Sequence, residues 1–236
     1  MYMAKIIHLA QVDSTQTYLK THFSELEDQT IVYADTQTAG RGRFNRRWIS
    51  QDGGLYFSVL LKPVQTRFSA NLTQLMALCV CRAVEKYGVR ANLKWPNDVQ
   101  VNGRKLCGML SEAVMDKQKI ACVIVGVGVN IAQADLSHVG QPAVSLAQLG
   151  VNTDKETFLH DIMQFFWQDY PSVCAAGFSA VRGEYLKRFP FTGKTISVRN
   201  GESMLSGEVA GVSAKGTLVL STADGQKEVY IGDVIL

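Results

Sequence analysis

No stretch of this 236-residue chain is long and apolar enough to cross a bilayer; the longest apolar run, Ile120–Val129, falls well short. The opening Met-Tyr-Met-Ala-Lys-Ile-Ile-His has no apolar leader segment. Charge is scarce. Charged residues make up 19%, which argues against a disordered or heavily solvated chain. The formal net charge of +3 is too small to bind nucleic acid by bulk electrostatics. The five cysteines form no C-x-x-C pair, and all but Cys174 sit in apolar stretches. They read as buried free thiols of a reducing compartment, not as disulfides or a zinc site. His8, His22, His138 and His160 lack metal-ligand spacing, and no repeat or low-complexity segment occurs. A soluble cytoplasmic protein is expected.

Hydrophobic residues make up 47%, enough for a sizeable core. Ile6–Leu9, Thr30–Ala34, Leu55–Leu61 (closed by Pro63), Ala91–Trp95 (stopped by Pro96) and Lys119–Asn130 read as strands. Val99–Val101 and Leu106–Leu110 flank Asn102-Gly103, a hairpin-turn signal. Residues 69–87 carry Leu72, Leu75, Met76, Cys79, Ala83 and Val84 at helical spacing, with Gly88 as C-cap. Residues 154–170 repeat the pattern with Phe158, Ile162, Phe165 and Phe166, and a short helix follows the possible N-caps Asp13, Ser14 and Thr15. The expected class is α+β, a mixed sheet with packed helices. After Pro190 the character changes. Short β segments alternate with Asn200-Gly201, Lys215-Gly216 and Asp224-Gly225, which predicts a small β-barrel module packed on the main domain. The expected domains are 1–189 and 190–236.

Three segments could carry chemistry. Residues 40–48 place four arginines, Arg41, Arg43, Arg46 and Arg47, beside Gly40, Gly42 and Trp48. The guanidinium fork suits carboxylate and phosphate oxygens, and glycine lets the backbone approach an anion. Such a loop serves equally as a solvated basic turn or a nucleic-acid patch, and the residues alone leave these readings open. Lys94-Trp95-Pro96-Asn97-Asp98 lies at a strand end, where ligands gather, and Lys105 starts the strand across the hairpin. An ordinary hairpin with surface lysines is the plainer alternative. Gly126-Val127-Gly128-Val129-Asn130 fails the dinucleotide fingerprint, because Ile131 takes the third glycine position and no helix pattern follows. It reads as a close-packed strand with a polar end. Thr192-Gly193-Lys194-Thr195 fails as a P-loop, since Arg188 stands where its first glycine belongs.

In order along nearly the whole chain, Asp13-Ser14-Thr15, Gln37 to Arg43 with Trp48, the Lys94–Asp98 box, Lys105-Leu106-Cys107-Gly108 and Gly126–Asn130 resemble the biotin–protein ligase family. The resemblance implies a class II aminoacyl-tRNA synthetase-like catalytic domain followed by a small SH3-like barrel. It implies ATP and biotin as substrates, Mg²⁺ as cofactor, and a biotin carboxyl carrier protein as acceptor. Ser14 and Thr15 would hold the ureido ring, with Gln16 and Gln37 in the same pocket. Gly40, Arg41, Gly42 and Arg43 would wrap the biotin carboxylate and the α-phosphate. Lys105 would sit on the reacting oxygens. Arg46, Trp48, Lys94, Asn97 and Asn130 would meet the nucleotide, and Asp98 would help place Mg²⁺ or the incoming lysine. Two departures stand out: Gln16, where asparagine is usual, and Phe44-Asn45 in place of the usual arginine-glycine pair. The resemblance is compatible with a homodimer through the edge of the central sheet. Because the catalytic pattern begins within fifteen residues, no DNA-binding domain and no DNA or membrane partner are expected.

Related lipoate or octanoate transferases share the fold, and some work through a cysteine and a lysine. Strand alternation would put Lys105 and Cys107 on one face and Leu106 on the other, although Cys107 reads better as a packing residue.

Overall fold

The computed structural model describes residues 5–62 and 70–235. The strand end expected at Pro63 and the first residue of the expected helix 69–87 lie outside them. Seven strands form the main sheet: β1 (Ile6–Val12), β2 (Ile31–Gln37), β3 (Gly54–Leu61), β4 (Asn92–Lys94), β5 (Asp98–Val101), β6 (Arg104–Asp116) and β7 (Lys119–Asn130). Their spatial order is β1-β2-β3-β7-β6-β5-β4, parallel only between β1 and β2, so the sheet is mixed as expected.

Side chains alternate across this sheet, and the two faces differ. Leu55, Phe57, Val59 and Leu61 of β3 and Val123, Val125, Val127 and Val129 of β7 belong to the large core. They share it with α2 (Asn71–Glu85) and α3 (Lys155–Ala176). One face of these strands is covered throughout and the other in part, which is why β3 and β7 read as nearly continuous apolar runs. On the opposite face Leu60 and Ile124 pack beneath Leu19 of the short helix α1 (Thr15–His22). Moving along that second face, the side chains shrink: Ile124 gives way to Gly126 and Gly128 on β7, and Leu60 to Ser58 on β3. The cleft described below occupies the space they leave.

The hairpin expected at Asn102-Gly103 joins β5 to β6, with both turn residues at positive φ (51° and 74°). Beside it one expectation fails. A register shift opposite Val99 and Gln100 breaks the alternation of β6. Leu106 and Cys107 are both wholly buried in the large core, while Lys105 lines the cleft. Lys105 and Cys107 therefore do not share a face; the bulge turns them apart. Helix α3 runs past the expected residue 170 and contains Pro171. The short helix α4 (Arg182–Lys187) was not anticipated; Glu184 and Arg188 tie it to α2 through Arg82 (2.7 Å) and Glu85 (2.6 Å).

The C-terminal residues form a five-stranded antiparallel sheet, β8 (Thr195–Asn200), β9 (Ser203–Val212), β10 (Leu218–Thr222), β11 (Gly225–Val229) and β12 (Asp233–Ile235), in the order β11-β10-β9-β8-β12. Each of the three turn dipeptides falls at the junction of consecutive strands. Ile196, Val198, Val209 and Leu220 join the core of the main sheet. A polar clasp adds to this. Asn71 Nδ2 donates to Lys215 O (3.0 Å), while Gln74 Nε2 (2.7 Å) and Trp95 Nε1 (3.0 Å) donate to Gly216 O. The tryptophan of the Lys94–Asp98 box is thus a buried docking residue between the two sheets.

Candidate active site

A cleft of about 550 Å³ lies on the α1 face of the main sheet and is walled at one end by β12. Its floor is glycine. A methyl group on Gly128 would sit 2.4 Å from the Trp48 indole nitrogen, and one on Gly108, its partner across the ladder, 2.8 Å from the same ring. A methyl on Gly126 would stand 2.6 Å from the Gln16 carboxamide. Glycines at these positions let an indole and an amide lie flat on the sheet. Gln16 Nε2 donates to Leu110 O (3.0 Å).

One end of the cleft is polar and uncharged. Ser14 caps α1, and Ser14 and Thr15 are both buried. Thr15 Oγ1 lies 2.8 Å from Ser58 Oγ, and the Thr15 amide donates to Gln37 Oε1 (2.9 Å). Gln37 Nε2 donates to Ser50 Oγ (2.8 Å). Ser58 was not among the expected site residues, though it is the one polar residue inside Leu55–Leu61.

The other end is cationic. The arginine loop closes on itself, with Gly42 N donating to Arg46 O (2.7 Å) and Trp48 N to Gly40 O (2.9 Å). Gly40 does not line the cleft; it packs against Ser50 and the Trp48 backbone, with no room for a side chain. Arg41 lines the cleft and pairs with Glu112 (3.0 Å). Arg43 is largely buried and donates to Asn97 Oδ1 and Gly232 O, both at 3.1 Å. Burial pushes its guanidinium below the usual range, against the pull of Asp233 and Asp98. Arg46 Nη2 spans both oxygens of Asp233 (2.9 and 2.7 Å). Arg47 and the unanticipated Asp233 also line the cleft. Asp233 stands 187 positions from Arg46, so no local pattern could have joined them.

Lys105 Nζ lies 2.9 Å from Asp98 Oδ1 and 5.2 Å from the centre of the Trp48 ring, within cation–π range. That Asp98 oxygen is buried against the ammonium, and Trp48 Nε1 is buried and makes no hydrogen bond. Lys94 and Asn97 line the same wall. Asn130 does not reach the cleft. Its carboxamide donates to Val144 O (3.2 Å) and Lys105 O (3.4 Å), fixing the start of β6. Gln16, Arg43, Lys105, Asp98 and Trp48 all line this one cleft; Gly40 and Asn130 lie outside it. Burial holds the Cys107 thiol well above its usual pKa, so it is neither exposed nor ionised.

A mixed-sheet domain with an arginine loop over a glycine floor, completed by a small β module, defines a family. The model of the biotin/lipoate A/B protein ligase family matches residues 8–130, and the chain belongs to that family. The biotin protein ligase C-terminal domain matches residues 191–236. The biotin protein ligase from Aquifex aeolicus, solved in complex with biotin and ATP, is 32% identical with a TM-score of 0.87, over 99% of this chain and 98% of that one. The biotin–[acetyl-CoA-carboxylase] ligase of Paracoccus denitrificans is 31% identical over 96% of this chain and 98% of its own. The bifunctional ligase/repressor BirA of Bacillus spizizenii is 30% identical over 98% of this chain and 74% of its own. No helix among the described residues is long and apolar enough to cross a membrane.

Proposed function

We propose that this enzyme is an ATP-dependent biotin–protein ligase that forms biotinyl-5′-adenylate and passes the biotinyl group to a lysine of a biotin carboxyl carrier protein. The observation that carries the reading is one continuous cleft with hydrogen-bonding groups but no charge at one end and a lysine with arginines at the other. Biotin has that polarity, a neutral ureido ring and a carboxylate. Thr15, Ser58, Gln37 and Gln16 supply hydroxyls and amides for the ring, and Ser14 supports them at the helix start. Arg41, Gly42 and Arg43 face the carboxylate.

The chemistry brings anion to anion: a carboxylate oxygen attacks the α-phosphorus and pyrophosphate leaves. Lys105 and Arg43 offset that repulsion, and Lys105, already oriented, stabilises charge as it builds on the reacting oxygens. Arg46, Lys94 and Asn97 face the nucleotide, and Trp48 shields the mixed anhydride from water. The acceptor lysine, as a neutral amine, then attacks the acyl carbon and AMP departs. Asp98 lines the cationic end of the cleft and would be the single carboxylate to meet a Mg²⁺ that arrives with the phosphates, sharing with it an oxygen that already faces Lys105 at 2.9 Å. That ion would add positive charge to the polyphosphate. The described residues contain no cluster that would hold a resident metal. A transferase using a cysteine finds no nucleophile here, because Cys107 is sealed in the core.

The test is transfer of labelled biotin to a purified biotin carboxyl carrier domain. The reading expects transfer that depends on ATP. Labelling from a preformed acyl thioester without ATP would refute it.

A further inference from the structure

The arginine loop is folded in a shape its own residues do not favour. Phe44 and Asn45 both have left-handed backbones, with φ of 54° and 57°. Asparagine tolerates this; phenylalanine does so at a cost. The turn stacks the Arg43 and Arg46 guanidinium groups against the half-exposed Phe44 ring, at 4.8 and 5.6 Å from its centre. Two like charges held this close need an anion beside them. The chain supplies one from its other end. Asp233 meets both oxygens of its carboxylate with Arg46 and stands 3.5 Å from Arg43. Its placement is fixed from behind. Asp233 pairs with Arg199 in the β12–β8 ladder, and a methyl on neighbouring Gly232 would stand 2.4 Å from Val198. The main-chain oxygen of Gly232 also accepts from Arg43.

A carboxylate gripped by two guanidiniums at a cleft wall has the contacts that a phosphate group makes. We propose that Asp233 is a resident anion: it holds the arginine loop folded before nucleotide arrives and surrenders Arg46, then Arg43, to the phosphates. It is a positioning residue, since it acts through the arginines. The inference rests on the proposed binding of nucleotide phosphates at this loop.

The two possible roles of Asp233 have opposite signs. If its contacts persist in the nucleotide complex, removing its charge weakens phosphate binding. If they are exchanged for phosphate contacts, removing the charge strengthens binding, because a competing state of the free protein is lost.

The experiment compares wild type, Asp233→Asn and Asp233→Glu. Inorganic tripolyphosphate and ATP binding are measured by calorimetry, and trypsin cleavage after Arg41, Arg43, Arg46 or Arg47 is followed without ligand. Asp233→Asn should bind tripolyphosphate roughly 1.4- to fivefold more tightly, the range set by a partly exposed ion pair. Its unliganded loop should be cut faster, and Asp233→Glu should lie nearer wild type in both. Thermal unfolding of the unliganded variants checks that all three fold. Unchanged or weaker tripolyphosphate binding by Asp233→Asn, or an unchanged cleavage rate, overturns the inference while leaving the ligase reading intact. Wild-type protein that binds neither tripolyphosphate nor ATP overturns both.

Discussion

Lys105 is held in place before any substrate is present. Asp98 holds its ammonium from one side and the Trp48 ring from another. Arg43 is as firmly held, but by groups on both sheets: Asn97 on one side and Gly232 on the other. The two cations should fail differently. Loss of one preoriented donor to a developing charge costs on the order of 10²–10³ in rate. Lys105→Ala should therefore slow adenylation by that much while changing biotin affinity far less. Arg43→Ala should weaken biotin binding, and it should let reactive adenylate escape to lysines of bystander proteins. Single-turnover pyrophosphate release beside biotin calorimetry separates the two; a wild-type release rate for Lys105→Ala would remove Lys105 from the reacting oxygens. At this scale the sequence was informative about residue types. It was not informative where one residue's direction depended on a bulge, as at Cys107, or where a side chain turned to backbone partners, as at Asn130.

The elements were legible where periodicity was strong. Lys119–Asn130 and Gly54–Leu61 read as nearly continuous apolar runs because α2 and α3 cover one face while α1 covers part of the other, the rest flooring the cleft, and their strand limits match the reading closely. Helix α4 has too few residues to show a period, and it is held by the buried Tyr185 together with ion pairs reaching from α2. The glycine pattern of β7 was correctly separated from a dinucleotide fold, but its purpose needed the third dimension. Gly126 and Gly128 are floor tiles for Gln16 and Trp48. This gives a prediction about strand and loop together. The Trp48 indole cannot retreat easily, since its backbone amide is bonded to Gly40 O and its ring carries Lys105. Gly128→Ala should cost about 1–3 kcal/mol as an overpacked contact. In a Trp48→Ala background the same substitution should cost almost nothing, because the methyl then has space. Urea unfolding of the four proteins measures the coupling. Additive costs would show that the indole does not rest on this glycine in solution.

Across the whole molecule, the cleft depends on how the two sheets are joined. The sequence marks the β module through its turn dipeptides, yet it gives no sign that one of those turns is a docking element. Gly201 and Gly216 look alike in sequence and both have positive φ, 60° and 87°. Their surroundings differ. A methyl on Gly201 meets nothing within 4 Å, whereas one on Gly216 would stand 2.3 Å from Gln74 Oε1. Gln74 is buried and has no free direction: its oxygen accepts from Asn71 and its nitrogen donates to Gly216 O. Gly201→Ala should cost only the left-handed backbone penalty, about 1–2 kcal/mol. Gly216→Ala should cost that and about 1–3 kcal/mol more for buried polar groups driven from their partners. It should also unseat β12, and with it Asp233, so that the unliganded arginine loop is cut faster by trypsin. Gly201→Ala should leave that cleavage rate unchanged. Equal unfolding costs in urea for the two variants, with equal loop cleavage, would mean that the clasp at Gly216 holds nothing and that the β module is positioned by its apolar core alone.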